Sequence, residues 1–384
     1  MRFEFATSGR IIFGEGTLER AGEFLGDFGT KLLLVGGKDR SRSRSLSEQL
    51  DKLGIEQIEF RVAGEPTVDL IDRGVGLARS SGATGVVGFG GGSVIDAAKA
   101  IAGLATNPGE ITDYLEVIGK AKPLETPGLP LCAIPTTAGT GAEVTKNAVL
   151  GSPEHRVKVS LRGAMLLPRV VLIDPEATLL LPAQVTASTG LDTLTQLIEP
   201  YVSIRANPIT DTFCLSGIPR AAQGLPRAFR DGHDRSARSD MSLASLLGGM
   251  ALANAGLGAV HGFAAPIGGM FDAPHGSVCA ALLPHVMEMN IRALRRRAPE
   301  SEALRRYDAL GSLLSNKSTA KADDAVTWVR DLCRTLKIPS LSKFGIGEEH
   351  IRELVEKAQR GNSMKANPIL LEYDELAEIL RAAL

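Results

Sequence analysis

Apolar residues follow two different rhythms along the chain. Between residue 31 and about residue 135, short apolar runs alternate with stretches of helical spacing: KLLLVGG, a helix over residues 46–53, IEQIEFRV, a helix over residues 68–81, GVVGFGGGS, and the helix-like DAAKAIAGLA. Short apolar runs that alternate with helices predict βαβ units around a parallel sheet. Two later runs, LPLCAIPTT and PRVVLIDPE, read as further buried strands of the same region. The N-terminal MRFEFATSGRIIFGEG alternates apolar and polar residues and reads as a first strand. Around Pro182 the rhythm changes. From there on Leu, Ala and Met recur at helical spacing in long stretches such as SDMSLASLLGGMALANAG and EALRRYDALGSLLSN. The predicted architecture is a Rossmann-like α/β domain over residues 1–180 and an all-α domain over residues 181–384, with no Gly/Ser linker between them.

Length supports the division, because 384 residues exceed the usual reach of a single hydrophobic core. Charge narrows the partners. The 43 Lys and Arg balance 44 Asp and Glu, so no global field draws the chain onto nucleic acid or an anionic membrane, and small molecules are expected instead. The four cysteines, Cys132, Cys214, Cys279 and Cys333, have neither paired metal spacing nor disulfide density, which points to a reducing compartment, the cytoplasm. No basic end followed by an apolar stretch opens the chain, and no segment is long and apolar enough to span a bilayer.

Candidate chemistry begins at the glycines. Gly90, Gly91, Gly92 and Ser93 follow an apolar run and open a helix that continues through Asp96. Consecutive glycines let a ligand approach the backbone, and free N–H groups at a helix start favour a pyrophosphate. A tight strand-to-helix turn without a ligand is the other reading. A second glycine turn, with Thr136, Thr137, Gly139, Thr140 and Gly141, also follows a strand and adds hydroxyls. Two such loops on neighbouring strand ends favour a nucleotide cleft.

Four blocks, GGGSVIDAAKA, IPTTAGTGAEVT, TGLDTLTQLIE and AVHGFAAPIGGMFDAPHGSVCAALLP, resemble the signatures of the iron-containing alcohol dehydrogenase family in order and spacing. The resemblance runs from about residue 8 to the C-terminal MKANPILLEYDELAEIL. It implies a dehydroquinate synthase-like fold with a catalytic cleft between the two domains, and most often a homodimer. It also implies that Gly90, Gly91, Gly92 and Ser93 hold a pyrophosphate, that Thr136, Thr137 and Lys158 contact the phosphates, ribose or nicotinamide side, with Thr140 in the same loop, and that Asp96 is the motif acid. NAD-restricted members often carry an acid at the end of the KLLLVGGKDRSRSR strand, where this chain has Gly37. Without that carboxylate nothing repels a 2′-phosphate, and Lys38, Arg40, Arg42 and Arg44 are near enough in sequence to pair with one, so NADP is favoured slightly over NAD. Solvation of a loop is the alternative role for these arginines.

The resemblance also implies a metal site. Asp192, His261 and His275 stand at ligand positions for a divalent ion, Fe²⁺ or Zn²⁺. Gln196, one helical turn after Asp192, occupies a position that is usually a histidine; its carbonyl oxygen is a weaker donor that completes or flanks the sphere. Ala265 replaces a frequent second histidine four residues after His261, which removes the usual proton route and leaves room for a bulkier substrate. Related glycerol dehydrogenases resemble the arrangement of one aspartate and two histidines. The implied activity is metal-assisted hydride transfer between the nicotinamide and an alcohol, aldehyde or ketone. With four Tyr and one Trp, no aromatic platform is evident. Rival readings are a metal-independent reductase like the maleylacetate reductases, a non-redox lyase like dehydroquinate synthase, and a nucleotide-binding protein that has lost activity. Of the remaining candidates, His285 is expected to be packed or capping, His155, His233 and His350 solvated, and Cys279 core; Glu143 either bonds near the nicotinamide or caps a helix.

Overall fold

The computed structural model describes residues 2–384. In it the apolar runs of the first half become β1 (Arg10–Phe13), β2 (Lys31–Gly36), β3 (Glu56–Arg61), β4 (Gly85–Gly90), β5 (Leu131–Pro135) and β8 (Val170–Ile173). They form one six-stranded sheet in the order β1-β8-β5-β4-β2-β3, every neighbouring pair parallel. All residues of β4 and β5 are buried, as continuous apolar runs must be when helices cover both faces. Along β2 the side chains alternate between two cores: Leu33 and Val35 pack with Ile71, Val75 and Ile101, whereas Leu32 and Leu34 pack with Leu46, Leu50 and Val87.

The helices of this region are the single turn α1 (Gly22–Leu25), α2 (Arg44–Lys52), α3 (Val68–Ser81), α4 (Gly92–Ala105) and the single turn α5 (Ile111–Tyr114). Thr67 caps α3 by accepting the Leu70 N–H at 3.2 Å, and Gly82 ends it in the left-handed region at φ 69°. Gly74 brings α3 against α4, because a Cβ there would lie 2.4 Å from Ile101 Cδ1.

Strand order reverses between β2 and β4. From β2 the chain steps outward to β3, then returns to β4 and proceeds the other way to β5 and β8. In an open parallel sheet, the crevice outside the strand C-termini at such a switch is where a ligand binds, and here those ends are Gly36 and Gly90.

Two differences from the sequence reading have physical reasons. The first strand spans only Arg10–Phe13, because its sole partner is the four-residue β8. And β6 (Asn147–Ser152) pairs with β7 (Val157–Arg162) in an antiparallel hairpin absent from that reading. Its alternation was legible in β7, where VKVSLR places apolar and polar residues in turn.

From residue 180 the chain is helical: α6 (Ala183–Val202), α7 (Pro208–Arg230), α8 (Arg235–Ala255), α9 (Ala259–Met270), α10 (His275–Arg297), α11 (Glu302–Ser315), α12 (Ala322–Thr335), α13 (Ile351–Gln359) and α14 (Tyr373–Ala383). Helix α6 packs on α7, α8 and α10 and is buried without interruption from Gly190 to Val202. Residues 6–137 and 141–179 form one compact unit; residues 2–5, 138–140 and 180–384 form the other. Among the described residues no single helix is long and apolar enough to cross a membrane.

Candidate active site

In the sheet unit, hydrogen bonds and close packing join the two glycine loops. The Thr136 N–H donates to the Gly90 carbonyl at 2.9 Å, and a Cβ on Gly91 would sit 3.3 Å from Thr137 Cγ2. Helix α4 starts at Gly92, and no side chain caps its N-terminus. Its first N–H groups therefore point outward beside Ser93, the arrangement that receives a phosphate. Lys99, on the same helix and fully buried, donates to the Ala142 carbonyl and to Thr145 Oγ1, both at 2.8 Å, and so ties the second loop to α4. Burial pushes the Lys99 amine down to about 8 against the opposing pull of Asp96 and Glu143. Burial raises the Glu143 carboxyl to about 7. Glu143 lies inside the protein within a 3-10 turn (Ala142–Val144) and does not cap a longer helix. Asp96 Oδ2 accepts the Val149 N–H at 3.2 Å, which links α4 to the hairpin. Lys158 Nζ pairs with Glu65 at 2.5 Å. Thr140 belongs to the short segment that groups with the helical unit.

At the end of β2 the basic residues diverge. Arg42 donates to the Ala177 carbonyl at 3.0 Å, Arg40 pairs with Glu59 at 3.4 Å, Arg44 opens α2, and Lys38 is exposed. Asp39 caps the turn before α2 through the Ser41 N–H. A residue not singled out in the sequence, Arg61 at the end of β3, reaches this point: its Nη1 donates to the Gly37 carbonyl at 3.4 Å and would lie 2.6 Å from a Cβ on Gly36. The signal for it was present, since the terminal residue of the neighbouring parallel strand must face the same crevice.

In the helical unit, α6, α9 and α10 bring Asp192, His261 and His275 together. His261 Nε2 is 3.4 Å and His275 Nε2 is 3.6 Å from Asp192 Oδ1. Asp192 is buried and its Oδ1 has no hydrogen-bond partner. Burial opposes its charge, but His275 and His261 outweigh this and hold the carboxyl below the usual carboxylate range. Cys279, one turn after His275 on α10, places Sγ 3.6 Å from His275 Nε2 and 3.8 Å from His261 Nε2. It is a core residue, as expected, but one that faces this cluster. Gln196 is buried one turn after Asp192, and its Oε1 is likewise without a partner.

Glu199 fixes His261. It lies seven residues after Asp192, on the same face of α6. Its Oε2 is 2.7 Å from His261 Nδ1 and its Oε1 accepts the Val260 N–H at 2.8 Å. A carboxylate only accepts, so Nδ1 carries the proton and Nε2 faces Asp192, the orientation common for metal-ligating histidines. Burial opposes protonation of His261, yet Cys279, Asp192 and Glu199 overcome it and raise its pKa well above the ordinary value. The cluster therefore favours positive charge at this point, whether from a proton or from a cation. The signal for Glu199 lay in the carboxyl and amide side chains at 192, 196 and 199, one face of a helix whose other residues from 190 to 202 are apolar or small or carry only a hydroxyl, since buried polar groups require partners.

Glycines make the approach possible. A Cβ on Gly276 would lie 2.5 Å from the Ser188 carbonyl oxygen, so the residue after His275 must be small for α10 to meet α6. His275 is about a third exposed, with 34% of its side chain accessible, so the cluster is reached from its side. Ala265 is exposed. His285 is packed, with Nδ1 buried and unpartnered. His350 departs from the solvated expectation: its ring meets Phe271 edge-on at 4.9 Å and its Nδ1 accepts the Gly347 N–H at 3.1 Å, because the loop before α13 folds back on itself.

Residues 8–175 match the description "Iron-containing alcohol dehydrogenase" and residues 186–384 match "Fe-containing alcohol dehydrogenase family, C-terminal". The chain is 35% identical over 379 residues to alcohol dehydrogenase 4 of Saccharomyces cerevisiae, covering 97% of this chain and 96% of that one. The chain belongs to the iron-containing alcohol dehydrogenase family. It is 32% identical to the NAD-dependent methanol dehydrogenase of Bacillus methanolicus, with 97% of each chain covered. The crystal structure of a 1,3-propanediol oxidoreductase superimposes on all of it with a TM-score of 0.91 at 33% identity, covering 100% of both chains. This iron-containing alcohol dehydrogenase is thus an alcohol oxidoreductase of a family that uses NAD(P) and a divalent metal ion. Its donors suit such an ion: two imidazoles and a carboxylate oxygen that is buried without a hydrogen-bond partner.

Proposed function

We propose that this alcohol oxidoreductase interconverts a small alcohol and its aldehyde or ketone with NADP(H) in preference to NAD(H), assisted by a divalent ion, Fe²⁺ or Zn²⁺, held by Asp192, His261 and His275. The convergence of these three side chains from α6, α9 and α10, with His261 oriented by Glu199, carries the reading. On this reading residues 1–180 bind the dinucleotide and residues 181–384 supply the metal and substrate groups.

Each group has a distinct task. The unpaired N–H groups at the start of α4, with Gly90, Gly91, Gly92 and Ser93, receive the pyrophosphate. Thr136 and Thr137 offer hydroxyls beside it. Gly37 leaves space and brings no carboxylate of its own at the end of β2, and Lys38 and the guanidinium of Arg61, which also pairs with Glu59 at 2.8 Å, supply positive charge for a 2′-phosphate. Asp192 contributes the negative charge that complements a cation, and Glu199 keeps the His261 Nε2 lone pair turned inward. A divalent ion bound there supplies Lewis-acid polarisation of the substrate oxygen. Ala265 leaves no titratable group one turn after His261. A cytoplasmic homodimer is part of the same reading, and four free cysteines suit a reducing compartment.

The test is metal analysis of the purified protein beside an aldehyde panel with NADPH and NADH. Turnover should fall on chelation, return on readdition of Fe²⁺ or Zn²⁺, and favour NADP(H) in kcat/KM by more than about tenfold, or about 1.4 kcal/mol. Full activity in metal-free protein would refute the metal role, and a tenfold preference for NAD(H) would refute the cofactor assignment.

A further inference from the structure

We infer that Cys279 Sγ is a fourth metal ligand beside Asp192, His261 and His275, and that the resulting set of two nitrogens, one oxygen and one sulfur selects zinc over iron. The inference rests on the metal site proposed above and assigns Gln196 a place outside the coordination sphere.

Spacing is the first reason. The four donor atoms lie within 4.8 Å of one another. Tetrahedral bonds of about 2.3 Å to sulfur and about 2.0–2.1 Å to nitrogen or oxygen separate sulfur from nitrogen by about 3.5 Å and nitrogen from oxygen by about 3.3 Å. At the right angles of an octahedral sphere the same bonds give only about 3 Å. The sulfur-to-nitrogen separations are 3.6 and 3.8 Å, and the nitrogen-to-oxygen separations are 3.4 and 3.6 Å. These four lie nearer the tetrahedral than the octahedral values, the geometry that zinc adopts and that soft thiolate donors favour, and the substrate oxygen enters as a fifth donor from the partly exposed His275 side.

Unmet hydrogen-bonding demand is the second reason. One S–H can donate to one nitrogen, yet both Nε2 atoms converge on Cys279. Asp192 Oδ1, facing the same nitrogens, has no hydrogen-bond partner although the residue is buried. His261 Nδ1 carries the proton directed at Glu199, so its Nε2 presents a lone pair to Asp192 and Cys279. Lone pairs turned toward one another in the interior are costly unless positive charge lies among them; a proton on one nitrogen serves a single acceptor, whereas one metal ion serves all four donors.

Helix geometry is the third. His275 and Cys279 are four residues apart at the start of α10, so the turn that presents the imidazole presents the sulfur beside it. Asp192 and Gln196 have the same spacing on α6 and Gln196 Oε1 is also buried without a partner, but a neutral amide oxygen is a weaker donor to such an ion than sulfur or imidazole, so the sulfur takes the fourth place. On coordination the thiol gives up its proton to solvent as the sulfur–metal bond forms, and no oxidation state changes.

The experiment replaces the resident ion of the full-length protein with Co²⁺ under anaerobic conditions. Wild-type protein should bind one Co²⁺ per chain and show a near-ultraviolet thiolate-to-cobalt charge-transfer band. That band should persist in Cys333→Ala and vanish in Cys279→Ser, which should bind Zn²⁺ at least tenfold more weakly and retain relatively more Fe²⁺ when the two ions compete. Stoichiometric Co²⁺ binding by wild type without the band overturns the role of Cys279 and leaves the three-ligand site standing. Failure of wild type to bind Co²⁺ overturns both. The wild-type spectrum decides the matter even if Cys279→Ser does not fold, and unchanged Zn²⁺ affinity in a folded Cys279→Ser also overturns it.

Discussion

Replacing Glu199 with Gln keeps the shape of the side chain and removes its charge and one of its two acceptors. In the native arrangement Oε1 accepts from the Val260 N–H at 2.8 Å and Oε2 from His261 Nδ1 at 2.7 Å. Glutamine can serve only one of these donors. If its oxygen stays on Val260, its amide N–H₂ meets His261 Nδ1, which must then accept; the ring proton moves to Nε2, 3.4 Å from Asp192 Oδ1, and the lone pair facing the cluster is lost. If the amide turns over, two donors face each other at Val260, in a buried site where an unmet donor costs about 1–3 kcal/mol. Both outcomes weaken metal binding. Loss of a carboxylate behind a ligating histidine typically costs 10- to 100-fold in affinity, or about 1.4–2.7 kcal/mol. Competition of chelator-stripped protein with a chromophoric chelator for Zn²⁺ measures the dissociation constant, and circular dichroism confirms the fold. A folded Glu199→Gln protein whose Zn²⁺ affinity is within about twofold of wild type would refute the positioning role of Glu199.

Three further outcomes follow from specific contacts. Gly37→Asp meets nothing within 4 Å of its new Cβ and places a carboxylate at the end of β2; kcat/KM should move toward NAD⁺ relative to NADP⁺ by at least about tenfold, about 1.4 kcal/mol, as steady-state kinetics with both cofactors would show. The buried Glu143 carboxyl binds its proton more tightly in the folded chain, at about 7 against an ordinary 4.5, so its contribution to stability is complete below pH 4.5 and is lost as pH rises to 7. That loss is about 3 kcal/mol; urea denaturation at pH 5 and pH 7.5 should therefore show a smaller decline in Glu143→Gln than in wild type, and equal declines would contradict the assignment. Gly276→Ala forces a Cβ to within 2.5 Å of the Ser188 carbonyl oxygen; the strain should lower stability by about 1–3 kcal/mol and weaken Zn²⁺ binding through His275, measured by thermal unfolding and chelator competition.

Sequence periodicity determined the alternation of buried strands and helices, the helical second half and the two glycine loops, because a parallel strand covered on both faces and an amphipathic helix each leave a local pattern. The resemblance of four ordered blocks brought Asp192, His261 and His275 into one hypothesis although they are far apart in the chain. Tertiary structure decided which other side chains meet them. Glu199 was visible only as a polar residue in a buried helix, and its partners, Val260 and His261, are about 60 residues away. Cys279 read as core because its helix is apolar; only the crossing of α10 with α6 and α9 turns its sulfur toward two imidazoles. At the end of β2, sequence proximity favoured Arg40, Arg42 and Arg44, whereas strand pairing brought in Arg61, since parallel register sets Gly36 opposite Arg61. Neighbours along the chain fix the elements through backbone geometry and local burial. Charges and lone pairs meet only when those elements pack, and that packing is what gathered the donors of this candidate site.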